Sequence, residues 1–149
     1  MVKLSPSVIQ NLLSRLKESS KPRFGEMSAQ EMVEHLCQMF DISMCKIEAE
    51  VFTPDEKLGK WKHFLMSDLP LQPFKSPIHV NGLPDLVFEN LDEAKYELTK
   101  RIEEFHQFYK NHPASKADNP AFGSLSYYEW KKFHGKHLQH HFSQFKLIQ

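Results

Sequence analysis

The chain has 149 residues, 40% of them hydrophobic and 26% charged, with nineteen basic side chains balancing nineteen acidic ones. That length suits one domain, 1–149, with a core of its own, and is too short for two comfortable ones. A net charge of zero with scattered basic residues argues against nucleic acid or an anionic membrane as partner, since neither finds a concentrated field.

Ser5-Pro6 opens a first helix, because serine caps and proline is tolerated in a first turn whose N–H groups have no partner. Val8, Ile9, Leu12, Leu13 and Leu16 repeat at helical spacing, and the stripe ends near Ser19-Ser20. After a connector, Ser28 and Glu31 make a capping-box pair. Met32, Leu36, Met39, Phe40 and Ile47 then carry a second helix to about Glu50. Cys37 and Cys45, the only cysteines, would lie roughly 12 Å apart along one helix axis, too far to bridge. They read as small buried thiols of a reducing cytoplasm. No apolar run has the length of a secretory signal or a membrane span, which points the same way.

Pro54, Pro70, Pro73, Pro77 and Pro84 punctuate residues 51–91, which predicts an extended crossover rather than a long helix. One short helix fits within it, PDEKLGKWKHFLM, with Trp61, Phe64 and Leu65 turned inward. Asn90 and Glu93 open a third main helix, whose Ala94, Leu98, Ile102, Phe105 and Phe108 lead to about Tyr109. A Pro- and Asn-rich loop follows. Ser126 and Glu129 then cap a fourth helix with Trp130, Phe133, Leu138, Phe142 and Phe145 on its apolar side. No alternating strand pattern stands out. The fold class is all-α, a four-helix bundle with a long Pro-containing crossover between its second and third main helices.

The fourth helix holds four of the chain's nine histidines: His134, His137, His140 and His141. His137 and His141 are four residues apart, so their imidazoles stack on one face and reach a common ion. On a helical wheel they share a sector with Trp130 and Leu138, while His140 lies toward the rim. His35 on the second helix flanks Met32, Leu36 and Met39 and also faces inward. Burying several imidazoles without partners is costly, and a shared divalent ion satisfies one nitrogen on each ring. His35, His137 and His141 are thus a candidate three-histidine site for zinc, nickel or iron(II), with an open position for water or substrate.

The other polar residues weigh less. His134 stands in reserve as a ligand or an outer base. Glu31, one turn before His35, is first of all the capping-box acid, although it could orient an imidazole or shuttle a proton. Gln144 is first of all a surface amide, although it could support a ligand from behind; Asp41 and Glu129 read as helix-surface acids, and His63, His79, His106 and His112 as exposed. No serine elbow, phosphate-binding glycine loop or paired-cysteine motif is present.

MSAQEMVEHL and HLQHHFSQF resemble the two histidine-bearing segments of the DinB/YfiT-like superfamily of four-helix metalloproteins. His35 matches its first ligand, His137 and His141 the other two in H-x-x-x-H-x-x-Q, and Gln144 the trailing glutamine. NPAFGSLSYYEWKKFHGKHLQHHFSQFKL is particularly similar to a bacterial branch classed as a domain of unknown function. Pro120, Phe122, Gly123, Leu125, Ser126, Glu129 and Trp130 fill that branch's P-x-F-G-x-L-S-x-x-E-W element. Two positions depart from it: Asn119 stands where histidine is frequent, and Lys146 where glycine often follows Gln-Phe. The resemblance implies a homodimer with a three-histidine divalent metal site, and with it a small-molecule substrate. Relatives using low-molecular-weight thiols make an S-transferase or hydrolase-like activity the leading expectation. The alternative is a non-catalytic binding or stress-response module whose metal is structural or absent.

Overall fold

Ser28 and Ser126 each accept a hydrogen bond from the backbone N–H three residues on, and Glu31 and Glu129 each accept one back from the serine N–H. These reciprocal bonds satisfy the free donors of a first helical turn and fix where two helices begin. The helices are α2 (Ala29–Ser43) and α5 (Tyr127–Gln144). The computed structural model describes residues 1–72 and 82–149. The remaining elements among them are α1 (Pro6–Leu13), α3 (Asp55–Met66), α4 (Leu91–Asn111), β1 (Ala117–Asn119) and β2 (Gly123–Leu125). The structure is mostly helical, as composition and periodicity predict.

α2 packs chiefly on α4, α1 leans on α4, and α5 lies against α3 and α2. The shared core contains Leu36, Phe40, Leu98, Phe105, Trp130 and Phe142, all buried. Asn90 caps α4 by accepting from the Glu93 N–H at 2.8 Å.

Several boundaries differ from those expected. α1 stops at Leu13, because Arg15 and Leu16 bond back three residues instead of four and tighten the turn; Leu16 still ends up buried. Ser5 lends α1 no side-chain cap. α2 stops at Ser43 rather than near Glu50. Cys45 takes φ 61°, and the N–H of Lys46 reaches back to the carbonyl of Asp41, closing a Schellman-type end. Ile47 is therefore outside the helix and 40% exposed, and Cys45 is exposed rather than buried. Cys37 is buried, which pushes its thiol up to about 12.

α5 ends the same way: Lys146 has φ 62°, and the N–H of Leu147 bonds the carbonyl of Phe142 at 2.8 Å. Lys146 thus fills a left-handed position that favours glycine.

The loop expected before α5 contains an antiparallel hairpin, with Ala117 opposite Leu125 and Asn119 opposite Gly123. Its strands have three residues each, too few to show an alternating pattern. Asn119 is buried, and its Oδ1 accepts from the N–H groups of Ala121 and Phe122. Trp130 Nε1 donates to the Ala117 carbonyl at 3.1 Å, tying the hairpin to α5. In α3, Leu65 is buried as expected, but Trp61 is 40% exposed. Asp41 is no simple surface acid, since it pairs with Arg101 at 3.0 Å and each side chain keeps under a fifth of its surface. Part of the Pro-containing crossover, with His79, lies outside the described residues. No described helix is long and apolar enough to cross a membrane.

Candidate metal centre

His35 enters from α2, and His137 and His141 enter from successive turns of α5. His35 Nε2 lies 3.0 Å from His137 Nε2, which lies 3.1 Å from His141 Nε2. Ligand atoms of all three rings fall within 4.8 Å of one another. Their centroids are 4.6 to 5.0 Å apart and the planes are steeply inclined, so the rings point their edges, not their faces, at one another. His35 and His141 are 5% and 7% exposed. His137 is half-buried as a whole residue, and its Nδ1 is buried without a hydrogen-bond partner among the described residues.

One proton in this group can be placed by elimination. Gln144 Nε2 lies 2.7 Å from the carbonyl of Phe24, which only accepts, so the amide nitrogen faces Phe24. Gln144 Oε1 is then the atom 2.8 Å from His141 Nδ1, and that nitrogen donates to it. Neutral His141 therefore presents a lone pair at Nε2. The chain of inference runs from a backbone carbonyl, through an amide, to a ring nitrogen that is ready to ligate.

The other contacts follow the same logic. His137 Nε2 has a ring nitrogen on either side, and a single proton there serves only one of them well. Burial, reinforced by His141 and then His35, holds the His137 imidazole well below its usual pKa and so keeps it neutral. A divalent cation resolves the conflict, because it accepts lone pairs from all three nitrogens at once. The spacing agrees: nitrogens bound at roughly 2.1 Å to one ion lie about 3.0 Å apart across a right angle and about 3.4 Å apart at the tetrahedral angle. The donor set and these two separations fit a divalent transition metal.

His134 does not join the group. Its Nε2 pairs with Ser43 Oγ at 2.9 Å, and its ring stacks on Phe40 with centroids 3.7 Å apart. Glu31 accepts from the Ser28 N–H and is thereby committed to its capping box. His106, expected on the surface, is half-buried; its Nε2–H donates to the Leu4 carbonyl and its Nδ1 accepts from the Tyr127 hydroxyl, both at 2.8 Å. His63 and His112 are exposed as expected.

Gln144 is the residue most underrated by composition alone. It is 5% exposed rather than a surface amide, and its position three residues after His141 is the signal that locates it. Gln38 gave no signal beforehand: it lies one turn past His35, and its Oε1 is buried and unpartnered among the described residues. His35, Gln38 and Glu34 line a cleft of about 230 Å³ whose wall also includes residues 83–88. Glu34 anchors that wall by accepting from the Val87 N–H at 2.7 Å and the Phe88 N–H at 3.2 Å.

A family model described as a protein of unknown function (DUF1569) matches residues 7–147. Comparison with the curated proteins and with the solved structures returned no match.

Proposed function

The chain belongs to the DUF1569 family, whose description assigns no reaction, and from that premise we propose that it is a metal-dependent enzyme of the DinB/YfiT-like type. His35, His137 and His141 hold one divalent transition-metal ion, and a small molecule reaches it through the cleft beside His35. The observation that carries this reading is the convergence of three Nε2 atoms from two helices, with His141 already oriented by Gln144. With three protein ligands and an open position, the ion would lower the pKa of a water or a thiol brought to it.

The chain's own residues supply the rest. Gln144 holds His141 in the ligating tautomer, and Glu34 pins the cleft wall. Gln38 offers an unpartnered acceptor to a donor group on the substrate. Among the described residues no fourth histidine, cysteine or carboxylate joins the group. That favours chemistry over the closed four-ligand arrangement of a structural site. A low-molecular-weight thiol is the preferred co-substrate, giving S-transfer to an electrophile, with hydrolysis as the second reaction class. The reading includes the four-helix bundle, a cytoplasmic setting and a homodimer.

The test is a panel of thiol-transfer and hydrolysis assays on protein loaded in turn with zinc, nickel and iron(II). We expect turnover with at least one metal and its loss in His141→Ala. Full activity in that variant would end the catalytic-metal reading.

A further inference from the structure

Lys136 is a buried cation with no counter-charge in contact among the described residues. It is 5% exposed, and its Nζ donates to the Phe64 carbonyl at 3.2 Å and lies 5.0 Å from the centroid of that ring. None of the ion pairs among the described residues includes it. An ammonium group carries three donors, and a single carbonyl leaves most of that capacity unused. A covered charge of this kind is costly unless something of opposite sign reaches it.

The surroundings show what that is. Lys136 lines a groove of about 540 Å³ together with Lys132, Gln139, His140 and Ser143 from the same helix, opposite Phe24. These α5 side chains are two ammonium groups, an amide, an imidazole and a hydroxyl, all able to donate. The single acid among the described lining residues, Asp68, is 3.7 Å from Lys132 Nζ and fully exposed, so water screens its pull on Lys136.

We propose that this groove binds a small molecule through an anionic group, a carboxylate or a phosphate, seated on Lys136 and Lys132 with Gln139, His140 and Ser143 as further donors. The site is distinct from the three-histidine group, which uses the neighbouring face of α5, and it does not depend on a metal. His140 is where the two meet, since its ring centroid lies 5.0 Å from that of His141.

The test uses chelator-treated full-length protein, so that an ion on the histidines contributes nothing. Inorganic phosphate and succinate are titrated separately, with sodium chloride at matched ionic strength as the control, and binding is read by calorimetry and by melting temperature. We expect saturable binding of at least one of the two anions, the tighter identifying the group. The affinity should fall about tenfold or more in Lys136→Met, which keeps the stem and removes the charge. Lys132→Gln, at the edge of the groove, should weaken binding in the same direction and covers the case of a poorly folded Lys136 variant. The melting temperature of Lys136→Met without anion should equal or exceed that of wild type, because an uncompensated charge has gone. Chloride acting as well as phosphate and succinate, no saturable binding, or undiminished affinity in both lysine variants would overturn the proposal.

Discussion

Helix α5 carries two kinds of buried histidine one turn apart, and they behave as opposites. His134 lies flat on Phe40, its Nε2 spent on the Ser43 hydroxyl, with Phe105 and Trp130 packed around it. His137 and His141 turn their ring edges toward His35, and their Nε2 atoms face other nitrogens. His134 and His141 share residue type, helix and burial, so none of these separates a core histidine from a ligand. The difference is what the second helix brings. Opposite His134, α2 presents an aromatic face and a hydroxyl; opposite His137 and His141 it presents another imidazole.

Truncation should separate the two environments most sharply. His141→Ala should lose metal binding with little effect on the melting temperature of the metal-free protein. His134→Ala should keep metal binding but lose about 2–4 kcal/mol of stability, through the cavity it leaves and the broken bond to Ser43. Metal titrations and denaturant melts on both variants check this crossed pattern, and a shared loss in the two assays would erase the distinction.

Gln144 sharpens the comparison, because it acts only on the ligand side. Gln144→Leu removes the acceptor from His141 Nδ1 and should weaken metal affinity roughly 10–100-fold. Gln144→Glu keeps an acceptor and should recover most of it. Competition against a chelator of known affinity gives both values.

The core histidine should show itself in the pH dependence of stability. Burial, and secondarily His106, hold the His134 imidazole well below its ordinary 6.5. In that window the unfolded chain takes up a proton and the native state does not. Stability of metal-free protein should therefore fall as pH drops below about 6.5 and be flat in this respect above it. His134→Gln should show a shallower decline in melts between pH 7.5 and 5.5, and an unchanged slope would remove His134 as its source.

The smallest effect touches neither site. Lys146→Gly relieves a left-handed residue at the end of α5 and should stabilise by about 0.5–1 kcal/mol, with metal affinity unaltered.

Much of this was legible in the residues, for physical reasons. The two capping boxes and the helical spacing of α2, α4 and α5 are local signals, and the i,i+4 pair of His137 and His141 places its own rings on one face. The place of His35 beside Met32, Leu36 and Met39 on an inward face joined it to them, and the resemblance to DinB/YfiT-like proteins pointed the same way. Non-local features were harder to read. The role of Gln144 depends on a carbonyl, that of Phe24, 120 residues away. The pairing of His106 needs Leu4 and Tyr127, and the hairpin of Asn119 is too short for a periodicity. The helix end at Cys45 has no local signal, because a non-glycine residue stands where glycine usually marks the stop.

Equilibrium binding of zinc, nickel and iron(II) to chelator-stripped wild type and to His35→Ala probes the central claim most directly, since His35 alone comes from the other helix. Wild type should bind one ion per chain, and His35→Ala should bind it at least about tenfold more weakly. Equal affinity in the two proteins, or no binding by wild type, would contradict a three-histidine centre.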